Sequence, residues 1–299
     1  MNIERVKARE LKMDSLHFLI TQFNLRNFPV SDTDSYEKWL KWTRSRIGLF
    51  REYCLPSVLN QSNKEFTWLI FFDTETPVEF SGFISEMESL PLIQICYSDG
   101  SDDFPATCTS EISKRILKSG EWIMTTRLDN DDSLHKEAMA VIRQNLVPKH
   151  KYLISLASGY VMNINDKTMS HYYYPMSPFI TLVENTELEI RGVFDKIHTK
   201  WDQLRLFVFK EIWLDTVNKK SRNSRFILKE PMWIQTVHGE NISNSFYRGL
   251  PVLKKKDLSK FSLNMTTEKL PLKILPKYYN YVMWKRYLKC LIIKILLKK

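Results

Sequence analysis

Directly after the apolar run 122–126 (WIMTT), the chain places Asp129, Asn130, Asp131 and Asp132 in succession. Three carboxylates within four residues at the end of a buried strand repel one another unless a cation or several hydrogen-bond donors compensate them. Magnesium and manganese take oxygen ligands and are commonly held by one or two carboxylates, with substrate phosphates filling other positions. Side chains alternate along an extended segment, so Asp129 and Asp131 can face one ion. The same residues also suit a solvated turn or a helix cap ahead of Ser133. Their place after a fourth strand in an alternating series favours metal binding. A calcium loop of the EF-hand type is not expected, because its Gly and distal Glu are missing at the required spacing.

The elements that must position this loop follow from hydrophobic patterning. Residues 17–21 (HFLIT) read as a buried first strand opening into the polar segment 22–27. Helical spacing of apolar residues runs through 36–59, with Asp32 or Asp34 as cap and Pro56 as a kink or a new start. Strand 66–72 ends at Asp73, helix 78–89 follows, and strand 91–97 closes at Asp99-Gly100. A helix over 112–119, strand 122–126 and a helix over 133–145 capped by Ser133 continue the alternation. Alternation of this kind predicts an α/β protein with a mostly parallel sheet flanked by helices and a ligand at the carboxyl ends of its strands. Beyond Pro148, strands are expected at 152–156, 159–163, 179–183 and 232–237, with a Tyr- and Pro-rich loop at 171–178. Segment 194–201 and a helix over 204–217 complete the body. No Gly/Ser/Pro linker separates the halves, so they are expected to share one sheet.

A length of 299 residues, with 43% hydrophobic and 26% charged, is enough for a core without covalent staples. Cys54, Cys96, Cys108 and Cys290 are far apart and form no CxxC pair, which reads as reduced thiols in the cytoplasm. The first twelve residues are charged, unlike a leader, and no apolar run approaches the roughly 20 residues of a spanning helix. A net charge of +10 calls for an anionic partner. Much of the excess is late, at Lys254, Lys255 and Lys256 and then through Lys298 and Lys299, which suits surface attachment better than a nucleic-acid groove. Segment 276–299 mixes Trp284 and several Tyr with aliphatic and basic residues. It reads either as an interfacial helix on the inner face of an anionic membrane or as a helix docked on the body.

Several stretches together resemble a family. Phe18-Leu19-Ile20-Thr21 with Phe23-Asn24-Leu25-Arg26, Cys54-Leu55-Pro56-Ser57-Val58, and Thr67-Trp68-Leu69-Ile70 with Asp73 look like bacterial rhamnosyltransferases of the GT-A glycosyltransferase type. The likeness continues through Thr126-Arg127-Leu128-Asp129-Asn130-Asp131-Asp132 and Pro231-Met232-Trp233-Ile234-Gln235 with His238-Gly239, and covers most of residues 15–250. It implies a GT-A fold, a nucleotide-sugar donor, a glycan or lipid-linked acceptor and Mn2+ or Mg2+ at the DxD pair Asp129 and Asp131. Asp131 or Asp132 would be the direct metal ligand, with Asp129 reaching the ribose or the metal through water. His238 would return an imidazole to the metal or diphosphate. Thr21, Asn24, Arg26 and Asp73 correspond in position to nucleotide-holding residues. Arg127 would either pair with the diphosphate or neutralise a neighbouring Asp.

A leaving nucleoside diphosphate gains negative charge, so fixed cations stabilise the transition state more than the ground state. Asp132 and Glu184 are the candidate catalytic carboxylates, and Asp195 and His198 are further candidates for the base. The expected organisation is a nucleotide-sugar half at 1–150, an acceptor half at 151–255 and a basic tail at 256–299. Two rival classes stay open: a non-catalytic lipid- or polymer-binding α/β protein, and a metal-dependent nucleotidyltransferase or phosphohydrolase. No nucleic-acid-binding module is recognisable.

Overall fold

β1 (Ser15–Gln22) is an apolar strand whose alternate side chains serve opposite faces: Leu19 joins one core cluster, Phe18 and Ile20 the other. It pairs in parallel with β2 (Thr67–Asp73) and β4 (Trp122–Arg127), and β2 pairs in parallel with β3 (Ile93–Ser98). The computed structural model describes residues 15–175, 177–197, 200–201, 223–228, 230–239, 249–278 and 288. The seven-stranded sheet is completed by β6 (Tyr152–Leu156), β9 (Ile180–Asn185) and β10 (Ser224–Ile227), in the order β10-β6-β9-β4-β1-β2-β3. Only β9 runs antiparallel to its neighbours. Burial on both faces is what near-continuous apolar strands such as TWLIFFD require.

A second sheet has the order β12-β8-β7-β11-β5, built from β5 (Ser133–Leu134), β7 (Ser158–Asn163), β8 (Thr168–Tyr173), β11 (Trp233–Val237) and β12 (Leu250–Pro251). The late strands are thus divided between two sheets, where one had been expected. Within the second sheet, Gly159 of β7 leaves room for the side chain of the neighbouring β11: a Cβ there would lie 2.0 Å from the Trp233 ring. Trp233 in turn stacks on Phe179 at 4.7 Å and donates Nε1–H to the Leu156 carbonyl at 2.6 Å.

α1 (Thr33–Leu49) begins at Asp32, whose carboxylate accepts the Ser35 N–H. It passes through one π turn (Phe50–Cys54) into α2 (Leu55–Leu59), which places Pro56 in a first turn where its missing N–H is tolerated. α3 (Ser81–Glu88) follows a short 3-10 turn (Val78–Phe80). α4 spans Gly100–Ser113, ahead of the expected 112–119: Asp102 and Asp103 favour its first turn, and Phe104, Cys108 and Ile112 recur every four residues on its buried side. α5 (Ala138–Gln144) starts later than expected, because Ser133 is drawn into β5 against Ile234 and its hydroxyl donates to the Tyr53 carbonyl instead of capping. The expected loop 171–178 begins as the end of β8, and 193–196 form turns. The expected helix 204–217, His198 and residues 279–287 and 289–299 of the tail lie outside the described residues. Among the described residues no helix is long and apolar enough to cross a membrane.

Candidate functional site

β4 stays in the sheet as far as Leu128, whose N–H is still held by the Ile20 carbonyl at 3.0 Å. The loop 129–132 then meets three supports. Just past the end of β1 is the Phe23 carbonyl, which accepts Asn130 Nδ2 at 2.7 Å. The π turn between α1 and α2 sets Cys54, whose Sγ donates to the Asp129 carbonyl at 3.7 Å. β11 supplies Thr236, whose N–H reaches Asp132 Oδ1 at 3.0 Å and whose hydroxyl reaches the Asp131 carbonyl at 2.7 Å. The acidic loop is therefore built in: Asn130, Asp131 and Asp132 are all buried.

Each carboxylate has a different environment. Arg46, from the buried side of α1, ion-pairs with Asp131, while His238 Nε2 lies 3.2 Å from the same Asp131 oxygen. Burial works to raise the Asp131 pKa, but the His238 hydrogen bond and the Arg46 charge outweigh it and hold the group below the ordinary carboxylate value. Asp132 goes the other way: burial first, then the charges of Asp131 and Asp129, push it well above the usual range. Asp129 is more open, its side chain 37% exposed, and it pairs with Arg127 at 3.0 Å. Arg127 also lies over the Phe194 ring at 5.2 Å. Of the two expected roles for Arg127, the geometry displays neutralisation of the neighbouring Asp. The Cys54 thiol, buried among the three carboxylates, is held well above the usual thiol range by burial and then by their charges, so it is inert.

A second polar group lies along the same carboxyl edge. Asp73, fully buried, accepts four donors: Arg26 N at 2.9 Å, Arg26 Nε at 2.6 Å, Glu75 N at 2.9 Å and Gly100 N at 3.2 Å. Gly100 has φ +76° and a Cβ there would sit 3.1 Å from the Arg26 carbonyl, so this approach needs glycine. Asn24 accepts the Asp73 N–H at 3.1 Å and bonds Thr76 Oγ1. Thr21 accepts Trp68 Nε1 at 3.0 Å inside the core. These four expected nucleotide-holding side chains are brought to one edge, but their polar atoms chiefly hold one another and the loops after β1, β2 and β3. Arg26 also reaches Asp99 at 2.5 Å, a carboxylate 74% exposed.

Glu184 is not brought to the acidic loop. It lies opposite Ile123 in β4, four residues before Arg127 and so about 13 Å along the strand. Its oxygens accept the Arg191 and Gly192 N–H groups at 3.0 and 2.9 Å, and it lines a separate small cleft with Lys151, Asp195 and Trp201. Burial, opposed by those two hydrogen bonds, leaves its pKa raised. Sequence reasoning missed Arg46, Thr236 and Asp99. Arg46 follows Trp39 and Thr43 on the side of α1 that the structure buries.

The structure is thus the expected α/β architecture, a mostly parallel sheet flanked by helices with polar loops at its carboxyl edge. The chain belongs to the family described as Putative rhamnosyl transferase, a glycosyltransferase family whose profile matches residues 36–249. No curated protein matches the chain at a significant level. Among solved structures it is similar to S. aureus TarS 1–349 in complex with UDP, at 11% identity and a TM-score of 0.38, over 75% of this chain and 61% of that one. The same TarS 1–349 alone gives 10% identity and a TM-score of 0.40, over 74% and 60% of the two chains. The glycosyltransferase GlyE of Streptococcus pneumoniae TIGR4 gives 11% identity and a TM-score of 0.35, over 80% and 59%. The chain thus spans about 60% of the length of the TarS 1–349 structures and 37% of the longer TarS chain.

Proposed function

We propose that this protein transfers a sugar from a nucleotide-sugar donor to a glycan or lipid-linked acceptor of a bacterial surface polysaccharide, with the donor diphosphate lying against residues 129–132. The observation that carries this reading is the buried junction of Asp131 with Arg46 and His238, at the carboxyl edge of the parallel strands. Arg46 and Arg127 are fixed cations at that edge, where they favour the charge a departing diphosphate acquires. His238 and Thr236 hold the loop in one shape, so little reorganisation is needed as charge develops. The Arg26–Asp73 network fixes the neighbouring loops that would flank the nucleoside.

The residues also fit a divalent ion of the Mn2+ or Mg2+ kind. An Asp131 oxygen and a His238 nitrogen lie 3.2 Å apart, and the Asp129 carboxylate opens to solvent on the same loop. Among the described residues no three His, Cys, Asp or Glu side chains form a complete metal-binding group. Substrate phosphate oxygens would therefore finish the shell, as is usual for magnesium. When bound, the ion would supply Lewis-acid stabilisation of the leaving diphosphate. Segment 276–299 is proposed to hold the protein at the inner face of an anionic membrane.

Thermal unfolding with UDP, GDP, dTDP and CDP, each with and without Mn2+ or Mg2+, tests the reading. One nucleotide at a hundred times its dissociation constant should stabilise by about 2.7 kcal/mol. No shift with any of the four would contradict it.

A further inference from the structure

The outer edge of the second sheet brings three chain segments together. β12 pairs with His171 and Ser170 of β8, and the next N–H, of Val252, bonds the Met169 carbonyl at 2.9 Å. The chain then runs through Lys254, Lys255 and Lys256 and is held against 266–268. Lys256 N donates to Thr267 Oγ1 at 2.8 Å, and Thr267 N returns a bond to the Lys256 carbonyl at 2.8 Å. Glu268 N reaches the Lys167 carbonyl at 2.9 Å, which adds the turn between β7 and β8.

Lys167, Lys254, Lys255, Lys256, Lys269 and Lys273 are all exposed on these segments. The carboxylates among them are fewer and mostly engaged. Asp166 caps Thr168, Asp257 bonds Ser259, and Glu268 pairs with Lys255 at 2.8 Å. Two large apolar side chains stand out beside the lysines: Leu253 is 54% exposed and Leu272 75%. Water alone rewards neither clustered like charge nor projecting leucine. An anionic bilayer suits both, since ammonium groups meet lipid phosphates while leucines enter the interface.

We infer that the edge formed by Lys167, Leu253–Lys256 and Lys269–Lys273 is a docking surface for an anionic lipid bilayer. This surface is distinct from the tail 276–299 and leads into it through the helical turn Leu275–Tyr278. The leucines favour lipid over a soluble polyanion, which lysines alone would satisfy. β12 lies three strands from β11, the strand carrying Thr236, or about 15 Å across the sheet. A bilayer on this edge would present a lipid-linked acceptor near the acidic loop; that consequence rests on the proposed transfer reaction, whereas the docking itself does not.

The test is co-sedimentation of the full chain with phosphatidylcholine vesicles and with vesicles that also contain phosphatidylglycerol, at low and high salt. The wild type should pellet with the anionic vesicles at low salt. Lys254→Glu, Lys256→Glu and Lys273→Glu combined should weaken binding by about a hundredfold or more. Leu253→Ser with Leu272→Ser should weaken it at both salt concentrations, and both variants should keep the wild-type melting temperature. Wild-type sedimentation of both variants, absence of anionic-vesicle binding by the wild type, or binding to heparin but not to vesicles would each overturn the inference. Vesicle binding without a nucleotide-induced thermal shift would leave the docking surface standing and remove the transferase reading.

Discussion

Arg46 and Asp131 form a buried ion pair that joins α1 to the loop after β4, with side chains only 7% and 9% exposed and Arg46 lying over Trp42 at 4.7 Å. The acidic loop thus has a resident cation of its own. A divalent ion that coordinates Asp131 must share that carboxylate with Arg46 or displace it.

Removing one member of such a pair strands the other charge away from water. Arg46→Gln should cost about 3 kcal/mol in urea unfolding, and adding Asp131→Asn should restore part of that loss. A single variant as stable as the wild type would show that the pair is not closed in solution.

His17 gives the pH dependence a defined sign. Its Nε2 lies 2.7 Å from Thr126 Oγ1, and burial, followed by the charge of Arg143, lowers its pKa from 6.5 to about 3. The unfolded chain takes up this proton near pH 6.5 and the folded one does not, so stability is full above that pH and falls as pH drops toward 3. His17→Gln should remove a slope of up to about 1.4 kcal/mol per pH unit between pH 6 and 5. Parallel stability curves for the two proteins would contradict this.

Asp73 and Asp99 should separate cleanly. Asp73→Asn removes a buried charge that gathers four donors and should cost about 3 kcal/mol, whereas Asp99→Asn, on an exposed group, should change stability by less than about 0.5 kcal/mol. Denaturant midpoints measure both, and equal effects would mean that the Asp73 network does not hold the loops.

Gly159→Ala tests the close approach of β7 to the Trp233 ring of β11 within the second sheet. With a Cβ 2.0 Å from the Trp233 ring, the variant should lose about 2 kcal/mol or more and show altered tryptophan fluorescence. An unchanged melting temperature and spectrum would contradict the close approach.

Much of the parallel sheet was legible because its strands are short apolar runs ending in turn residues. The strands of TWLIFFD, IQICYS and WIMTTR fall within two residues of expectation. Where local letters competed with tertiary pairing, reading failed: Ser133 has the chemistry of a cap but is taken by β11, and His171 to Tyr173 look like a loop yet pair with β7. In the site, the density of Asp129, Asp131 and Asp132 was visible, and so was His238. Their compensation by Arg46 was not, since that contact spans 85 residues and no local pattern encodes it. Glu184 drew attention as an acid after the central loop, but strand register places it toward the opposite end of β4.

The central claim is that the junction of Asp131, Arg46 and His238 receives the donor diphosphate. Calorimetric titration of wild type and Asp131→Asn, with the nucleoside diphosphate that stabilises best and with Mn2+ present, tests it most directly. The account expects saturable binding by the wild type and a loss of about tenfold or more in affinity for a variant that still folds, as removal of a charge-assisted contact implies. Equal affinity in the two proteins would place the nucleotide elsewhere and contradict the account.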